Sequence, residues 1–291
     1  MTSRSAFTLT TPEGAALDGF ADYPDLPAPR PAVVVCHGFK GFMEWGFFPA
    51  LAELLAARGF VAVRFNFAGS GMRPGEDRVS EPEAFRRDTY SGELADLLAV
   101  LAAVAGDAGD AGAEARGLDR ARIARGPVGL FGHSRGGAAA LLAAAHLEWS
   151  DHVGALVTWA AIAYVDRFTA EQKEAWRRDG ELPVVNARTG QRLALGRELL
   201  ADLEDHREAL DLGAAAARRR APWLIVHGTA DESVPADDGE RLFAAAGEPK
   251  QIERIPDAGH TFGAVHPFVG PTSHLIQAFN ATQRWFCRHV A

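Results

Sequence analysis

The hydrophobic residues of the chain fall into short continuous runs, which alternate with longer segments of helical spacing. Short runs rich in apolar and β-branched residues, bounded by turn residues, are typical of buried strands. The sequence predicts such strands at 31–36, 60–67, 127–131, 153–159, 222–227 and 251–255. The first of them reads Pro-Ala-Val-Val-Val-Cys and ends at His37-Gly38.

Several segments between these runs carry apolar residues every three or four positions, which predicts helices. In 48–58, for example, the leucines share one face and Gly59 supplies a stop signal. Further helices are predicted at 83–104, 134–146, 238–246 and 274–290, and a Gly/Ala/Asp-rich surface loop at 106–117. This alternation implies an α/β fold, in which a mostly parallel sheet has helices on both faces and binds ligands at the carboxyl ends of its strands.

One segment, 163–220, interrupts the alternation. It is charged and helical in character, contains no apolar strand, and includes an extended piece at 182–186. Because it lies between two core strands, the chain must leave the sheet and return. We therefore expect a core domain made of 1–162 and 221–291, with 163–220 inserted as a lid over the site. The alternative is a surface insertion without a role.

Composition and charge narrow the classes of function. The 291 residues carry a formal net charge of -8, which argues against a nucleic-acid partner. No apolar run approaches the roughly 18 residues that span a bilayer, and the amino terminus lacks an apolar signal-peptide core. We expect a cytoplasmic monomer or homodimer without membrane insertion, and a free, buried state for both Cys36 and Cys287.

The strongest chemical signal is the stretch Gly132-His133-Ser134-Arg135-Gly136, which joins a predicted strand to an alanine-rich helix. A sharp strand-to-helix turn strains the central residue and projects its side chain outwards, while small flanking residues allow close packing. The pattern predicts a nucleophilic serine at Ser134. A glycine-rich turn with an idle serine is the alternative.

A serine hydroxyl needs an adjacent base, and two later strand ends supply candidates. Asp231 follows the strand at 222–227, and His260 follows the strand at 251–255. We expect His260 to accept the serine proton and Asp231 to orient its imidazole. The competing residues are Glu232 and Asp257 for the acid and His266 for the base.

An acyl-transfer site also needs fixed hydrogen-bond donors for the developing oxyanion. The backbone amide of Arg135, directly after the serine, is one candidate. The loop after the first buried strand supplies the other, with Phe39 preferred over Lys40. His37, His133 and His227 each border a glycine at a strand end, and we expect them to form structural hydrogen bonds near the site.

Taken together, these motifs resemble those of the α/β-hydrolase superfamily, and they look closest to its cinnamoyl/feruloyl esterase and serine-aminopeptidase-like branch. The segment 64–71 is similar to a strand and loop of that branch, with Asn66 where an aspartate is usual. The resemblance implies an α/β-hydrolase fold and ester hydrolysis without a cofactor. It also implies that the lid, including Phe168 and Trp176, shapes an acyl pocket.

These observations favour a serine hydrolase that cleaves small-molecule carboxylic esters of small apolar acyl groups. A peptidase, amidase or thioesterase with the same triad is the alternative, and a non-catalytic binding protein is a weaker one. No sequence motif indicates a metal site. The candidate substrate contacts are Lys40, Trp45, His133, Phe168 and Trp176.

Overall fold

The computed structural model describes residues 2–27, 29–106 and 115–290. The predicted loop at 106–117 therefore lies mostly outside the described residues. The strands are β1 (Ser3–Thr10), β2 (Ala16–Tyr23), β3 (Ala32–Cys36), β4 (Val61–Phe65), β5 (Ala115–Arg116), β6 (Val128–His133), β7 (Val153–Trp159), β8 (Glu181–Val185), β9 (Arg192–Gly196), β10 (Trp223–Gly228) and β11 (Lys250–Ile255). The helices are α1 (Phe48–Ala57), α2 (Pro82–Arg86), α3 (Tyr90–Ala105), α4 (Arg135–Ala144), α5 (Ala170–Asp179), α6 (Arg197–Asp205), α7 (Leu212–Arg218), α8 (Ala236–Ala245) and α9 (Ser273–His289).

A mostly parallel sheet forms the centre of the fold, as the alternation of strands and helices predicts. Its order is β11-β10-β7-β6-β3-β4-β2-β1-β5, and the strands from β11 to β4 run parallel to one another. Helices α1 and α9 cover one face, and α3, α4, α7 and α8 cover the other. The predicted α/β fold class is thus confirmed.

Burial on both faces explains why the central strands are apolar throughout. Every residue of β3 is buried, and successive side chains enter opposite cores: Val33 and Val35 pack on one face, Val34 and Cys36 on the other. Cys287, by contrast, is exposed, so the expectation that both cysteines are buried holds only for Cys36, although both are free.

Strands β1, β2 and β5 form an antiparallel edge of the sheet. The sequence analysis did not predict this edge, because its first strand begins at residue 31. In β1 only Phe7 and Leu9 are buried, and polar residues separate them, so the hydrophobic signal is weak. Gly19 makes room for this pairing, because a Cβ there would lie 2.3 Å from the Phe7 ring.

The single helix predicted at 83–104 is wrong, because the chain forms α2 and α3 with a break between them. Thr89 caps α3 by accepting a hydrogen bond from the backbone of Gly92 at 3.0 Å. The Asp202 carboxylate reaches the same helix end from α6 and accepts from Tyr90 and Ser91 at 2.9 and 3.1 Å. A second cap from a distant element thus reinforces the new start.

The inserted segment contains a strand pair, of which the sequence analysis anticipates only the first, extended piece. Strands β8 and β9 form an antiparallel hairpin with Glu181 opposite Gly196, and the extended piece predicted at 182–186 corresponds to β8. Helix α7 packs against α4 and α8 and belongs to the core layer. The segment that leaves the sheet is therefore 163–210, hereafter the insert. No helix among the described residues is both long and apolar enough to cross a membrane.

Candidate active site

Ser134 lies at a sharp turn between β6 and α4. Its φ is +56° and its ψ -122°, a conformation that side-chain-bearing residues rarely adopt. The flanking glycines are required by close packing: a Cβ on Gly132 would lie 2.2 Å from the Gly136 carbonyl oxygen, and one on Gly136 2.1 Å from that of His37. This tight packing supports the strained backbone at Ser134.

Asp231 and His260 follow β10 and β11, which are neighbouring strands, and they meet at the carboxyl edge of the sheet. Asp231 Oδ2 lies 2.8 Å from His260 Nδ1. The other carboxylate oxygen accepts the backbone N–H groups of Ser233 and Val234 at 2.9 Å. With Nδ1 engaged, Nε2 is the imidazole nitrogen left for proton transfer.

The charge of the Asp231 carboxylate is stabilised in place. Burial disfavours its ionised form, but hydrogen bonds from His227 and His260 outweigh burial and hold the pKa of the carboxyl well below its usual range. An ionised Asp231 can stabilise an imidazolium when His260 accepts a proton.

The competing residues lie elsewhere. Glu232 is exposed. Asp257 occupies a turn with φ +58°, and its backbone N–H donates to Thr229 Oγ1. His266 Nδ1 accepts the backbone N–H of Gly46 at 3.0 Å. Of the three acidic candidates, only Asp231 contacts His260 within the described residues.

The loop after β3 lies directly beside the serine. A Cβ on Gly38 would lie 2.9 Å from Ser134 Cβ, and the N–H of Gly41 donates to the Gly38 carbonyl at 2.9 Å to close the turn. In the described part of the chain, the backbone amides of Phe39, Lys40 and Arg135 have no hydrogen-bond acceptor. The candidate oxyanion donors are thus free.

The Arg135 side chain forms a buried ion cluster with carboxylates of the chain. Its guanidinium lies 2.8 Å from Asp88 Oδ2 and 2.9 Å from Glu93 Oε2, and it stacks over the Tyr90 ring at 4.1 Å. Two carboxylates satisfy this cation, so the side chain supports the turn rather than awaiting an anion.

Two cavities, of about 540 and 450 Å³, reach Ser134. Phe39, Lys40, Ser134 and His260 line both cavities. The first is also lined by the loop that follows His260 and by the turn between β8 and β9. The second has an apolar wall that comes largely from the insert and is formed by Ile162, Val165, Phe168, Val184, Leu195 and Leu199.

Most of the predicted substrate contacts line these cavities. Trp45 and His133 line the first, Phe168 the second and Lys40 both. The prediction that Trp176 contacts the substrate is wrong. Its side chain is fully buried, packs edge-on against Phe168, and donates from Nε1 to the Gly196 carbonyl at 3.1 Å. An indole is large enough to serve as the core of the small insert, which keeps it away from the cavity.

The glycine-flanking histidines make structural contacts, as expected. His133 Nε2 lies 2.9 Å from the His260 backbone oxygen, and burial lowers the pKa of His133 to about 3. His37 Nε2 lies 3.3 Å from the Phe67 amide nitrogen, and burial lowers the pKa of His37 to about 4. Neutral imidazoles are therefore held on both sides of the serine turn.

Sequence reasoning missed Asn186 and Arg188, which line the first cavity, and Leu195 and Leu199, which line the second. All four belong to the unpredicted β8–β9 hairpin or the helix that follows it, and no local motif marks them. Within the residues that the structure describes, no group of three or more His, Cys, Asp or Glu side chains is arranged to hold a metal ion.

Comparison with known proteins establishes the family. A model of the alpha/beta hydrolase family matches residues 33–269, and the chain belongs to that family. An uncharacterized protein of Mycobacterium tuberculosis, Rv2307c, is 30% identical over 254 residues, which cover 87% of this chain and 70% of that protein. The uncharacterized protein YfhR of Salmonella typhimurium is 56% identical over 39 residues, only 13% of either chain.

Solved structures share the fold at low sequence identity. Est1E from Butyrivibrio proteoclasticus, solved with ferulic acid bound, has a TM-score of 0.67 and 22% identity, with 97% of this chain and 98% of that chain covered. A putative hydrolase from Agrobacterium vitis has a TM-score of 0.71 and 19% identity, with 98% and 99% covered. A dienelactone hydrolase from Anabaena variabilis has a TM-score of 0.64 and 19% identity, with 100% and 99% covered.

Proposed function

We propose that this chain is a serine hydrolase that cleaves carboxylic esters of small apolar acyl groups through an acyl-enzyme. The observation that carries the proposal is the 2.8 Å contact between Asp231 and His260, beside a serine on a strained turn that lines the same cavities. In this assignment Ser134 is the nucleophile, His260 the general base and Asp231 the group that orients His260.

The chemistry proceeds in two half-reactions. Ser134 Oγ attacks the ester carbonyl carbon while its proton passes to His260 Nε2, and the amides of Phe39 and Arg135 stabilise the oxyanion. His260 then gives that proton to the departing alkoxide, and the acyl group remains on Ser134. Water, activated by the same imidazole, hydrolyses the acyl-enzyme and regenerates the serine.

The second cavity is suited to the acyl group. Its wall is aliphatic and aromatic, and its volume of about 450 Å³ limits the length of the chain it can hold. Val184, Leu195 and Phe168 come from the insert, which supports its role as a lid over the acyl pocket. The fold neighbour Est1E, with its bound ferulic acid, supports an ester substrate.

A peptidase acting at a free amino terminus is less well supported. Recognition of a substrate ammonium group needs a carboxylate within reach. Among the described residues that line the two cavities, none is an aspartate or glutamate. A thioesterase remains compatible with the same triad.

Turnover of a p-nitrophenyl ester series of increasing acyl length tests this proposal, with the wild type measured beside Ser134→Ala. We expect the mutant to lose activity by about three orders of magnitude or more while retaining the wild-type fold, because the nucleophile is removed. Ser91→Ala, outside both cavities, serves as the matched control. Equal turnover by Ser134→Ala would refute the assignment.

A further inference from the structure

Two cationic side chains line the first cavity. Lys40 approaches it from the loop after β3, and Arg188 approaches it from the turn between β8 and β9. Among the described lining residues, no aspartate or glutamate is present. The loops that carry these two cations are in contact, because the Lys40 ammonium donates to the Val185 carbonyl at 3.1 Å, three residues before Arg188.

Lys40 has no ionic partner among the residues that the structure describes. In the described structure its ammonium contacts the Val185 carbonyl and the Phe39 ring, whose centroid is 5.3 Å away, and no carboxylate. Burial lowers the pKa of this lysine. A half-buried cation without a counter-ion carries a desolvation cost, which a bound anion would offset.

Arg188 is held beside the exposed residue Asp77. Its guanidinium lies over the Phe42 ring at 5.5 Å, Nη2 donates to the Asp77 backbone carbonyl, and Nη1 lies 4.0 Å from Asp77 Oδ2. The Asp77 side chain is 69% exposed, so water screens this pair. The Arg188 side chain, at 24% exposed, retains capacity to bind an anion in the cavity.

The two arginines that line only the second cavity are paired with buried carboxylates. Arg135 contacts two of them, and Arg167 Nη1 lies 2.8 Å from the buried Asp238 carboxylate. Lys40 lines both cavities, whereas Arg188 lines only the first. Arg188, whose carboxylate partner Asp77 is exposed, is therefore the cation that distinguishes the first cavity from the acyl pocket.

The placement of the acyl group determines which half of an ester enters the first cavity. The loop that follows His260, including Thr261 and Val265, lines this cavity and not the second. With the acyl group in the second cavity, the alcohol side of the ester occupies the first, and His260, which lines both, can give its proton to the leaving oxygen. Trp45 and Phe48 add aromatic surface for a planar group.

We propose that the first cavity is a leaving-group site for an alcohol or phenol that carries a carboxylate, with Lys40 and Arg188 as its specificity-determining residues. The natural substrate is then an ester that joins a small apolar acid to a hydroxy acid. This inference rests on the proposed esterase function and on the placement of the acyl group in the second cavity.

The test compares 3-carboxyphenyl butyrate with 3-carbamoylphenyl butyrate, which differ mainly in the charge of the leaving group. Each kcat/KM is divided by the rate of hydroxide hydrolysis of the same ester, which corrects for intrinsic reactivity. We expect the wild type to prefer the carboxylate ester by about tenfold, the scale of one or two partly screened charge-assisted hydrogen bonds. The preference should shrink as salt is added.

Two variants connect the preference to the residues. Lys40→Met and Arg188→Gln are each expected to reduce the carboxylate preference by about threefold or more, mainly through KM for the anionic ester. Arg188→Gln lies outside the oxyanion loop and so separates anion binding from damage to the catalytic geometry. Arg178→Gln, a highly exposed arginine elsewhere in the insert, is the matched control and should leave the preference unchanged.

The outcomes separate this inference from the esterase assignment. Serine-dependent turnover of both butyrates with equal corrected rates would overturn the anion site and leave the esterase assignment intact. If neither ester is hydrolysed, calorimetric binding of 3-hydroxybenzoate and 3-hydroxybenzamide to the Ser134→Ala protein decides the matter. Tighter binding of the carboxylate that is lost in Arg188→Gln supports the site, and equal binding of the two compounds overturns it.

Discussion

Asp231 and His260 lie 29 positions apart in sequence, yet Asp231 Oδ2 and His260 Nδ1 are separated by 2.8 Å. The contact exists because β10 and β11 are parallel neighbours whose carboxyl ends meet at one edge of the sheet. The Asp231 side chain is fully buried and receives two further backbone hydrogen bonds, so its orientation is fixed before substrate arrives. This pair makes a direct mechanistic prediction.

Replacing Asp231 with asparagine should leave the fold intact and reduce kcat by about three to four orders of magnitude, the loss seen when a triad histidine is held in the wrong tautomer. The amide can donate to Nδ1, which would leave the proton on Nε2 and block it as a base. Steady-state kinetics with the preferred p-nitrophenyl ester measures the effect.

Glu232→Gln provides the matched control for this substitution, because the neighbouring carboxylate is exposed. Its kcat should remain within about twofold of the wild type, as expected for a surface substitution away from the site. Loss of activity in Glu232→Gln, combined with full activity in Asp231→Asn, would reassign the acid.

Trp176 anchors the insert, so Trp176→Ala should loosen that segment selectively. Removing a fully buried indole leaves a cavity and an unpaired Gly196 carbonyl, which should lower the free energy of unfolding of this region by about 3 to 5 kcal/mol. Limited proteolysis should then cut within 163–210 while the core persists. Trp149→Ala, at a partly exposed tryptophan of the core domain, is the control and should not raise cleavage within 163–210. If Trp176→Ala is cleaved no faster than the wild type, Trp176 does not anchor the insert.

Asp96 links stability to pH. Burial raises the pKa of Asp96 to about 7, although its carboxylate accepts the Ala68 N–H at 2.8 Å. A carboxyl whose folded-state pKa lies above the unfolded value destabilises the fold once ionised, so stability is lost as pH rises from about 4 to 7. Relative to the wild type, Asp96→Asn should therefore gain about 3 kcal/mol in unfolding free energy between pH 4.5 and pH 8.

Urea unfolding of both proteins at the two pH values checks this expectation, since titrating groups distant from Asp96 contribute equally and cancel in the difference. Asp205→Asn, at an exposed position, is the control and should show no comparable pH-dependent gain. If the difference in unfolding free energy between Asp96→Asn and the wild type does not change with pH, ionisation of Asp96 does not destabilise the folded protein.

Local sequence signals predicted the elements nearest the serine. The glycines around Ser134 mark a turn whose packing excludes a Cβ, and short apolar runs mark strands buried on both faces. These features depend on residues that are close in sequence, so they can be recognised without knowledge of the tertiary fold. The catalytic roles of Ser134, Asp231 and His260 remain a prediction for the kinetic experiments.

Signals that depend on distant partners were missed. The break between α2 and α3 is reinforced by Asp202, more than a hundred positions away, and the β1 edge strand has only an alternating, half-polar pattern. The expectation that Trp176 lines the cavity was wrong. A large aromatic residue in a lid segment has the same sequence signature whether it faces the substrate or the core of the insert.

The sequence by itself determined the α/β class, the positions of the central parallel strands and the candidate nucleophile, because hydrophobic periodicity and glycine placement are local properties. Only the tertiary structure decided which acid meets His260, how the insert folds and where charge lies around Ser134. The contact of Lys40 with Val185 spans 145 positions, and it brings the cations of two loops to one cavity. Such contacts follow from packing between distant elements, which no window of sequence contains.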